Sequence, residues 1–149
     1  RACRVSLTMI VRNEENTLGD CLRSVADLVD EVVVVDTGST DRTREMAASF
    51  GARVIDFAWC DSFAAARNES LRHATGDWAF WLDADERLDA ANRQRLVELF
   101  GRLGDENAGY VMKQHSGPEG DTTRGTVVEQ TRLFRNHPAV RWEYRIHEQ

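Results

Sequence analysis

Two aspartates, Asp83 and Asp85, stand directly after the apolar segment 78–82 (WAFWL). If the chain is extended at this point, side chains two positions apart point the same way, so both carboxylates reach one cation. Oxygen ligands suit Mg²⁺ or Mn²⁺, which proteins commonly hold with one or two carboxylates and the phosphates of a substrate. An acidic pair alone is weak evidence, because such pairs are common in exposed loops. The position of this pair at the end of an apolar segment makes a metal site the favoured interpretation.

The first half of the chain reads as strands alternating with helices. The predicted strands are the segments 4–11, 31–36, 53–56 and 78–82. The first predicted helix begins at Thr17. The second runs up to Phe50 and is stopped by Gly51, and the third covers about 62–74 and is ended by Gly76. Small polar residues are the predicted helix caps, Asn16 for the first helix and Ser39, Thr40 or Asp41 for the second.

Repeated strand–helix units with short connections predict a parallel sheet with right-handed crossovers. Ligands bind such sheets at the carboxyl ends of the strands. The residues that fall there are 11–14 after the first strand, 36–39 after the second and 83–86 after the fourth. All three strand ends carry carboxylates, which repel one another unless a cation or hydrogen-bond donors lie among them. This concentration of acids is a second indication of a metal site.

The pattern changes after Asp85. A helix over 90–103, a strand over 109–114 and a polar loop over 116–125 follow, and two further segments, 126–134 and 140–146, are strand-like. Without repeats or an internal linker, the 149 residues are predicted to form one α/β domain with a mainly parallel sheet flanked by helices.

Composition and missing motifs exclude several functions. A net charge of −6 argues against non-specific nucleic-acid binding. The sequence has no Gly-x-Gly-x-x-Gly turn after its first strand, no P-loop and no Gly-x-Ser-x-Gly elbow, so dinucleotide dehydrogenases, P-loop ATPases and acyl hydrolases fit poorly. Three separated cysteines suggest neither a disulfide framework nor a metal site. With no apolar run of membrane-spanning length and no signal peptide, we expect a cytoplasmic chain, and the first residue, Arg1, suggests a fragment of a longer protein.

Three segments of the sequence resemble those of a known protein family. The runs SLTMIVRNEENTLGDCLRSV, VVVVDTGSTDRT and ARNESLRHATGDWAFWLDADE look like those of family 2 glycosyltransferases with a Rossmann-like GT-A-type fold. The later RLFRN and RIHEQ resemble a branch of that family with a His-Glu pair near the end of the catalytic core. The resemblance covers about residues 4–149 and leaves the transferred sugar undetermined.

The resemblance implies a role for each matching residue. The nucleotide would be contacted by residues from three strand ends and one helix, namely Ile10, Val11, Arg12, Glu14, Asp36, Arg67 and Asp83. Asp85 would ligate Mn²⁺ or Mg²⁺ directly, with Asp83 contributing directly or through a bound water. His147 would be a further metal ligand, brought back by the last predicted strand.

Each of these residues has a structural alternative. Asp36 could cap the next helix or stabilise the tight turn that follows it. Arg67 could pair with a surface acid such as Asp61, and Glu14 could support the next helix. His147 could be a packed strand histidine.

The sequence also departs from the family pattern. Thr37 stands where many members have a second aspartate, and Tyr144 where a small residue is expected. No acidic pair that would supply the general base is evident after Gly109, so Glu129 and Glu148 are the candidate catalytic residues.

The predicted function is transfer of a sugar from a nucleoside diphosphate sugar, in first place a UDP-sugar, to an acceptor that could be a saccharide, a lipid or a protein. Inversion at the anomeric carbon is the family expectation. The alternatives are a nucleotide-sugar-binding module without turnover and a sugar-phosphate nucleotidyltransferase. The latter normally has a Gly-rich loop after the first strand, which VRNEEN does not resemble.

Overall fold

A computed structural model of the chain describes residues 3–116 and 125–142. The strands are β1 Val5–Val11, β2 Glu31–Asp36, β3 Arg53–Asp56, β4 Trp78–Trp81, β5 Gly109–Ser116 and β6 Thr126–Arg135. The α-helices are α1 Leu18–Val25, α2 Thr43–Ser49, α3 Phe63–His73 and α4 Ala90–Arg102, and a 3₁₀ helix, Ala26–Leu28, follows α1.

The strands form a six-stranded sheet in the order β3-β2-β1-β4-β6-β5. The pairs β3–β2, β2–β1 and β1–β4 are parallel, whereas β6 runs antiparallel to both β4 and β5. The predicted α/β class and mainly parallel sheet are therefore confirmed. Because β2 and β4 lie on opposite sides of β1, the strand order reverses between β1 and β4, which is where ligands bind in open α/β sheets.

The central strands are apolar because helices cover both faces of the sheet. Trp78 and Phe80 point into the main core, where the Phe80 ring packs edge-on against Phe100 at 5.7 Å between centroids. Trp81 lies on the other face, below the rim of the carboxyl edge, under the guanidinium of Arg67. The alternation expected of a strand therefore divides the aromatic residues of β4 between core and ligand-binding edge.

Two helix starts differ from the predicted ones. Asn16 does not cap α1, which begins at Leu18 after a turn in which the Thr17 hydroxyl donates to a Glu14 carboxylate oxygen at 3.0 Å. Helix α2 begins at Thr43, whose N–H donates to the Asp41 carboxylate at 3.0 Å. Ser39 and Thr40 do not cap α2, because their hydroxyls have partners within the strand-end loops, whereas Asp41 bonds the first N–H of the helix.

The predicted third helix is present as α3, and Ser62 caps it, since the Ser62 hydroxyl accepts from the Ala65 N–H at 3.1 Å. Gly76 has a different role from the predicted one. Helix α3 ends before it, and a Cβ at Gly76 would lie 2.6 Å from the Ser6 hydroxyl and 2.9 Å from its backbone nitrogen. A residue without a side chain is therefore needed where the chain passes close to Ser6 of β1 just before β4.

The strand predicted over 140–146 is not present where the structure describes it. Residues 136–142 are irregular, with a turn closed by the Val140 N–H and the His137 carbonyl at 2.8 Å. Residues 143–146 lie outside the described residues, as does most of the loop predicted over 116–125. Within 3–116 and 125–142, no helix combines the length and apolar character that a membrane span requires.

Candidate functional site

A cleft of about 540 Å³ opens above the carboxyl ends of β1 and β4. Residues from three strand ends, from α3 and its preceding loop, and from β6 and the segment after it line the cleft: Ile10, Val11, Arg12, Glu14, Thr37, Trp59, Phe63, Arg67, Trp81, Asp83, Ala84, Asp85, Gln130 and Trp142. The structure therefore brings together seven of the residues singled out from the sequence. These seven are Ile10, Val11, Arg12, Glu14, Arg67, Asp83 and Asp85.

The two aspartates sit on a tight turn rather than on an extended segment. The Glu86 N–H donates to the Asp83 carbonyl at 3.0 Å, and Ala84 between the aspartates is buried in the core. Asp83 is partly exposed and Asp85 exposed, and both line the cleft. The turn therefore places both aspartates at the same cleft, as was expected of an extended segment, while Ala84 between them packs into the core.

Glu86 holds this turn from below. Its carboxylate accepts from the Asp83 N–H at 2.7 Å and from both terminal nitrogens of Arg132, at 2.6 and 2.7 Å. Arg132 is buried and lies over the Trp81 ring, 3.9 Å from its centroid. Such a two-pronged arginine–carboxylate pair fixes orientation as well as charge.

Cys21 of α1 lies under the same turn and donates to the Asp83 carbonyl at 3.6 Å. Burial, followed by the negative charges of Glu86, Asp83 and Asp85, raises the pKa of its thiol to about 12. Cys21 is buried and forms no disulfide, and its thiol is neutral at physiological pH.

Arg67 crosses the cleft wall from α3. Its guanidinium donates to the Asp83 carboxylate at 3.1 Å and lies 4.5 Å from the Trp81 ring centroid and 5.2 Å from that of Trp142. It pairs with Asp83 rather than with Asp61, the surface acid considered as an alternative partner. A planar cation buried between two indoles is well placed for a phosphate or a nucleobase.

The Asn68 side chain forms a clamp on Trp142, because it hydrogen-bonds both the carbonyl and the N–H of that residue. The Asn68 amide donates to the Trp142 carbonyl at 2.8 Å and accepts from the Trp142 N–H at 2.7 Å. The last described residue is therefore tied to α3, one position after Arg67.

The loop after β1 is built on an unusual backbone. Asn13 has a φ of +52°, its N–H donates to the Ser39 hydroxyl at 2.9 Å, and its side chain accepts from the Thr40 N–H at 2.8 Å. These bonds join the ends of β1 and β2 and leave Arg12 exposed at the cleft. Glu14 lines the cleft as well as supporting the first turn of α1 through Thr17.

Asp36 is buried and lies outside the lining of the cleft. Its carboxylate accepts from the Ser39 N–H at 3.0 Å, from the Gly38 N–H at 3.3 Å and from the Ser39 hydroxyl. These are the contacts of the turn-stabilising alternative, and contact with the nucleotide stays a prediction for Asp36.

The two candidate general bases are not in the described part of the cleft. Glu129 is exposed on β6 opposite Lys113, and its neighbour Gln130 faces the cleft instead. His147, Glu148 and Tyr144 lie outside the described residues.

The donor set fits a hard divalent cation that a ligand also coordinates. Within residues 3–116 and 125–142, no three His, Cys, Asp or Glu side chains cluster as a complete metal site. Asp83 and Asp85 offer carboxylate oxygens to one cleft, and Mg²⁺ or Mn²⁺ is commonly held by one or two carboxylates plus phosphates.

Sequence reasoning missed several cleft residues. Trp59 and Phe63 form an edge-on pair, 5.0 Å between centroids, at the start of α3, and Phe63 is 41% exposed. Exposed aromatic residues beside a helix cap were a usable signal. Gln130, which lines the cleft, and Arg132, which lies against Trp81, could not be assigned, because their positions depend on an irregularity in the β5–β6 pairing.

Comparison with known proteins identifies relatives along nearly the whole chain. A family model described as Glycosyl transferase family 2 matches residues 6–148. A TPR repeat-containing protein of Synechococcus elongatus is 41% identical over 146 residues, covering 97% of this chain and 35% of its own length. The glycosyltransferase SunS of Bacillus subtilis is 28% identical over 148 residues, covering 97% and 34%. The chain thus spans about a third of the length of these two relatives.

Solved structures show the same fold. Glucosyl-3-phosphoglycerate synthase from Mycobacterium tuberculosis, crystallised with UDP, is 30% identical with a TM-score of 0.52, over 57% of this chain and 35% of that one. The synthase has also been crystallised with Mn²⁺ and UDP-glucose. S. aureus TarS is similar in fold, with a TM-score of 0.64 at 20% identity over 89% of this chain and 47% of that one. The predicted GT-A-type fold is confirmed.

Proposed function

The chain belongs to glycosyl transferase family 2, and on that premise we propose that it binds the donor of a sugar transfer, a nucleoside diphosphate sugar, in the cleft above β1 and β4. The observation that carries the proposal is the convergence of Asp83, Asp85 and Arg67 at one edge of the sheet. Two carboxylates and one buried guanidinium suit a diphosphate that arrives with a divalent cation.

The cation would be held by Asp85 and Asp83, with Mn²⁺ in first place and Mg²⁺ as the alternative. When bound, it would neutralise charge on the leaving diphosphate. The chain itself supplies Arg67, whose donors are already oriented by Asp83 and by the rings of Trp81 and Trp142. Oriented donors of this kind stabilise developing charge without reorganising.

UDP is the proposed nucleotide because a relative 30% identical to this chain binds it, and because its complexes include Mn²⁺. Ile10, Val11, Arg12 and Glu14 line the part of the cleft assigned to the base and ribose. The exposed pair Trp59 and Phe63 adds aromatic surface for stacking.

Transfer to an acceptor hydroxyl or amine with inversion needs one general base. Glu148 is the proposed base, since Glu129 lies on the exposed face of β6. His147 is proposed as a further cation ligand, supported by the clamp that ties Trp142, five positions earlier, to the wall of the cleft.

A second candidate function is binding of the nucleotide sugar without turnover. It is favoured by one observation: among the described residues, the carboxylates lining the cleft are Glu14, Asp83 and Asp85, of which Glu14 supports α1 and the other two are the proposed cation ligands. Product analysis separates the candidates, because only an enzyme releases UDP from a UDP-sugar in the presence of acceptor.

Calorimetric titration of UDP in the presence and absence of Mn²⁺ tests the proposed binding. We expect Asp85→Ala to abolish Mn²⁺-dependent binding and Asp83→Ala to weaken it, because an uncompensated diphosphate is repelled by the remaining acids. Asp105→Ala, which removes an exposed carboxylate far from the cleft, controls for the change of net charge. Wild-type affinity in Asp85→Ala would contradict the metal assignment.

A further inference from the structure

Strand β6 contains an irregularity at the position of Arg132. The β5–β6 register passes from Tyr110 opposite Leu133 directly to Val111 opposite Thr131, so Arg132 is the extra residue of a β-bulge. Bulges redirect a side chain relative to the regular alternation of a strand. Here the redirected arginine is 3% exposed and lies against β4.

The Arg132 guanidinium has several polar partners and one aromatic partner. Besides Glu86 and the Trp81 ring, its guanidinium donates to the side-chain oxygens of Gln130 at 2.8 Å and Gln114 at 3.1 Å. A buried arginine is costly unless its charge is paired and its donors are satisfied. Four partners around one guanidinium meet that requirement, and two of them, Trp81 and Gln130, line the cleft.

The contact with Glu86 extends to the turn that carries the aspartates. One carboxylate oxygen of Glu86 accepts from both Arg132 and the Asp83 N–H, while the Glu86 N–H closes the turn on the Asp83 carbonyl. Removing Arg132 would leave the Glu86 carboxylate partly buried without its cation. Glu86 would then move toward water, and the Asp83 N–H would lose its partner.

We propose that Arg132 is a positioning residue for the cation: acting through Glu86, it holds the turn over residues 83–86 in the shape that presents Asp83 and Asp85 to the same cleft. The cation and its nucleotide rest on the proposed function, whereas the effect on the turn does not. Arg132 is not among the residues that line the cleft, so it would contact neither the cation nor the nucleotide.

A second arginine on the same strand provides a matched control. Arg135 also lies over a tryptophan of β4, 5.9 Å from the Trp78 ring centroid, and donates to the Gly104 carbonyl at 3.0 Å. It lies at the opposite end of β4 from the aspartates, where Trp78 is its partner in register. If the substitutions acted only through stability, replacing either arginine would change the turn over residues 83–86. If Arg132 positions the turn, only its replacement would do so.

The first measurement is amide hydrogen exchange in the metal-free full chain. In Arg132→Met, we expect the Asp83 and Glu86 amides to exchange at least about tenfold faster, as for loss of a charge-assisted hydrogen bond. The Thr37 amide, bonded to the Val11 carbonyl at 3.0 Å at a neighbouring strand end, is the internal reference. Arg135→Met should leave both turn amides unchanged relative to this reference. Unchanged exchange in Arg132→Met would overturn the proposal.

The second measurement is titration with Mn²⁺ alone. We expect about tenfold weaker binding in Arg132→Met and in Glu86→Gln, with wild-type affinity in Arg135→Met. Arg132→Lys keeps the charge without the planar fork, so it tests the proposal if the methionine variant does not fold, and it should be intermediate. Equal affinity in Arg132→Lys and wild type, with equal turn exchange, would overturn the proposal. If the wild-type chain binds neither Mn²⁺ nor UDP, the proposed function fails, and the exchange result still decides the role of Arg132.

Discussion

Arg67 reaches across the cleft from α3 and donates to the Asp83 carboxylate at 3.1 Å. The pair is asymmetric, because the Arg67 side chain is 9% exposed and that of Asp83 is 41% exposed. The Arg67 guanidinium is thus held by the rings of Trp81 and Trp142, while the Asp83 carboxylate remains accessible from the cleft. Arg67 limits the repulsion between Asp83 and Asp85 before any ligand arrives, and it leaves a positive group beside the place proposed for a diphosphate.

We expect Arg67→Lys to weaken Mn²⁺-dependent UDP binding about tenfold, because lysine keeps the charge but loses the planar contact with two indoles. Isothermal titration calorimetry with UDP at saturating Mn²⁺ measures the change. Arg72→Lys on the same helix, whose arginine is exposed and paired with Glu69, is the control and should bind as wild type. Equal affinities for the two variants would remove Arg67 from the nucleotide site.

The Asn68 clamp on Trp142 gives a second prediction. Asn68→Ala removes two hydrogen bonds, which should lower the free energy of unfolding by about 1–3 kcal/mol. It should also speed exchange of the Trp142 amide and reduce UDP affinity, since Trp142 covers Arg67 in the cleft.

Asn136→Ala is the matched control for that experiment. The Asn136 side chain also makes two hydrogen bonds to backbone, donating to the Ala74 and Gly76 carbonyls, but at the opposite end of β4. It should cost similar stability and leave UDP affinity unchanged. If both variants lose the same UDP affinity, Trp142 acts only through overall stability.

Cys21 gives a prediction on alkaline pH. Its thiol has a pKa of about 12 in the folded chain against an ordinary value of 9.0, so the unfolded chain loses this proton first as pH rises. The contribution to stability is complete below pH 9 and declines toward pH 12, by about 1.4 kcal/mol per pH unit. Cys21→Ser keeps a donor to the Asp83 carbonyl without this titration.

Urea unfolding of both chains between pH 8 and pH 11 tests the prediction. Above pH 9, the free energy of unfolding of the wild type should fall relative to that of Cys21→Ser. At pH 8, a thiol reagent should label the exposed Cys60 rapidly and the buried Cys21 only on unfolding. Rapid labelling of Cys21 in the folded chain would contradict the raised pKa.

The parallel half of the fold was predictable because its signals are local. The run EVVVVD has the continuous apolar character of a strand covered on both faces, and it forms β2 as predicted. The start of α1 was not predictable in the same way. Asn16 is a residue type that often caps helices, yet here Glu14 and Thr17 form the turn before α1, and Thr17 occupies the N-cap position.

The site was predictable where it follows strand ends and unpredictable where it depends on pairing. Asp83 and Asp85 follow β4 directly, so the topology places them at the cleft. Arg132 and Gln130 come from an antiparallel strand whose bulge is decided by long-range register. A shift of register by one residue exchanges the two faces of a strand, which is why no local pattern assigned Gln130 to the cleft rather than Glu129.

His147 yields the prediction that reaches furthest beyond the described residues. The clamp fixes Trp142 at the cleft that Asp85 also lines, and five extended residues span at most about 17 Å, so chain length permits the proposed metal ligand His147. Neutral imidazole is a better ligand for Mn²⁺ than for Mg²⁺. We therefore expect His147→Ala to weaken Mn²⁺ binding about tenfold, the range in which a change of one metal ligand or its support is usually measured, and to change Mg²⁺ binding little. His137→Ala, which removes an exposed histidine from the turn before Val140, should bind both ions as wild type does. Titration of each variant with the two ions, with and without UDP, distinguishes a ligand from a packed strand histidine. A packed histidine would change stability without changing the preference for Mn²⁺, and that outcome would remove His147 from the metal site.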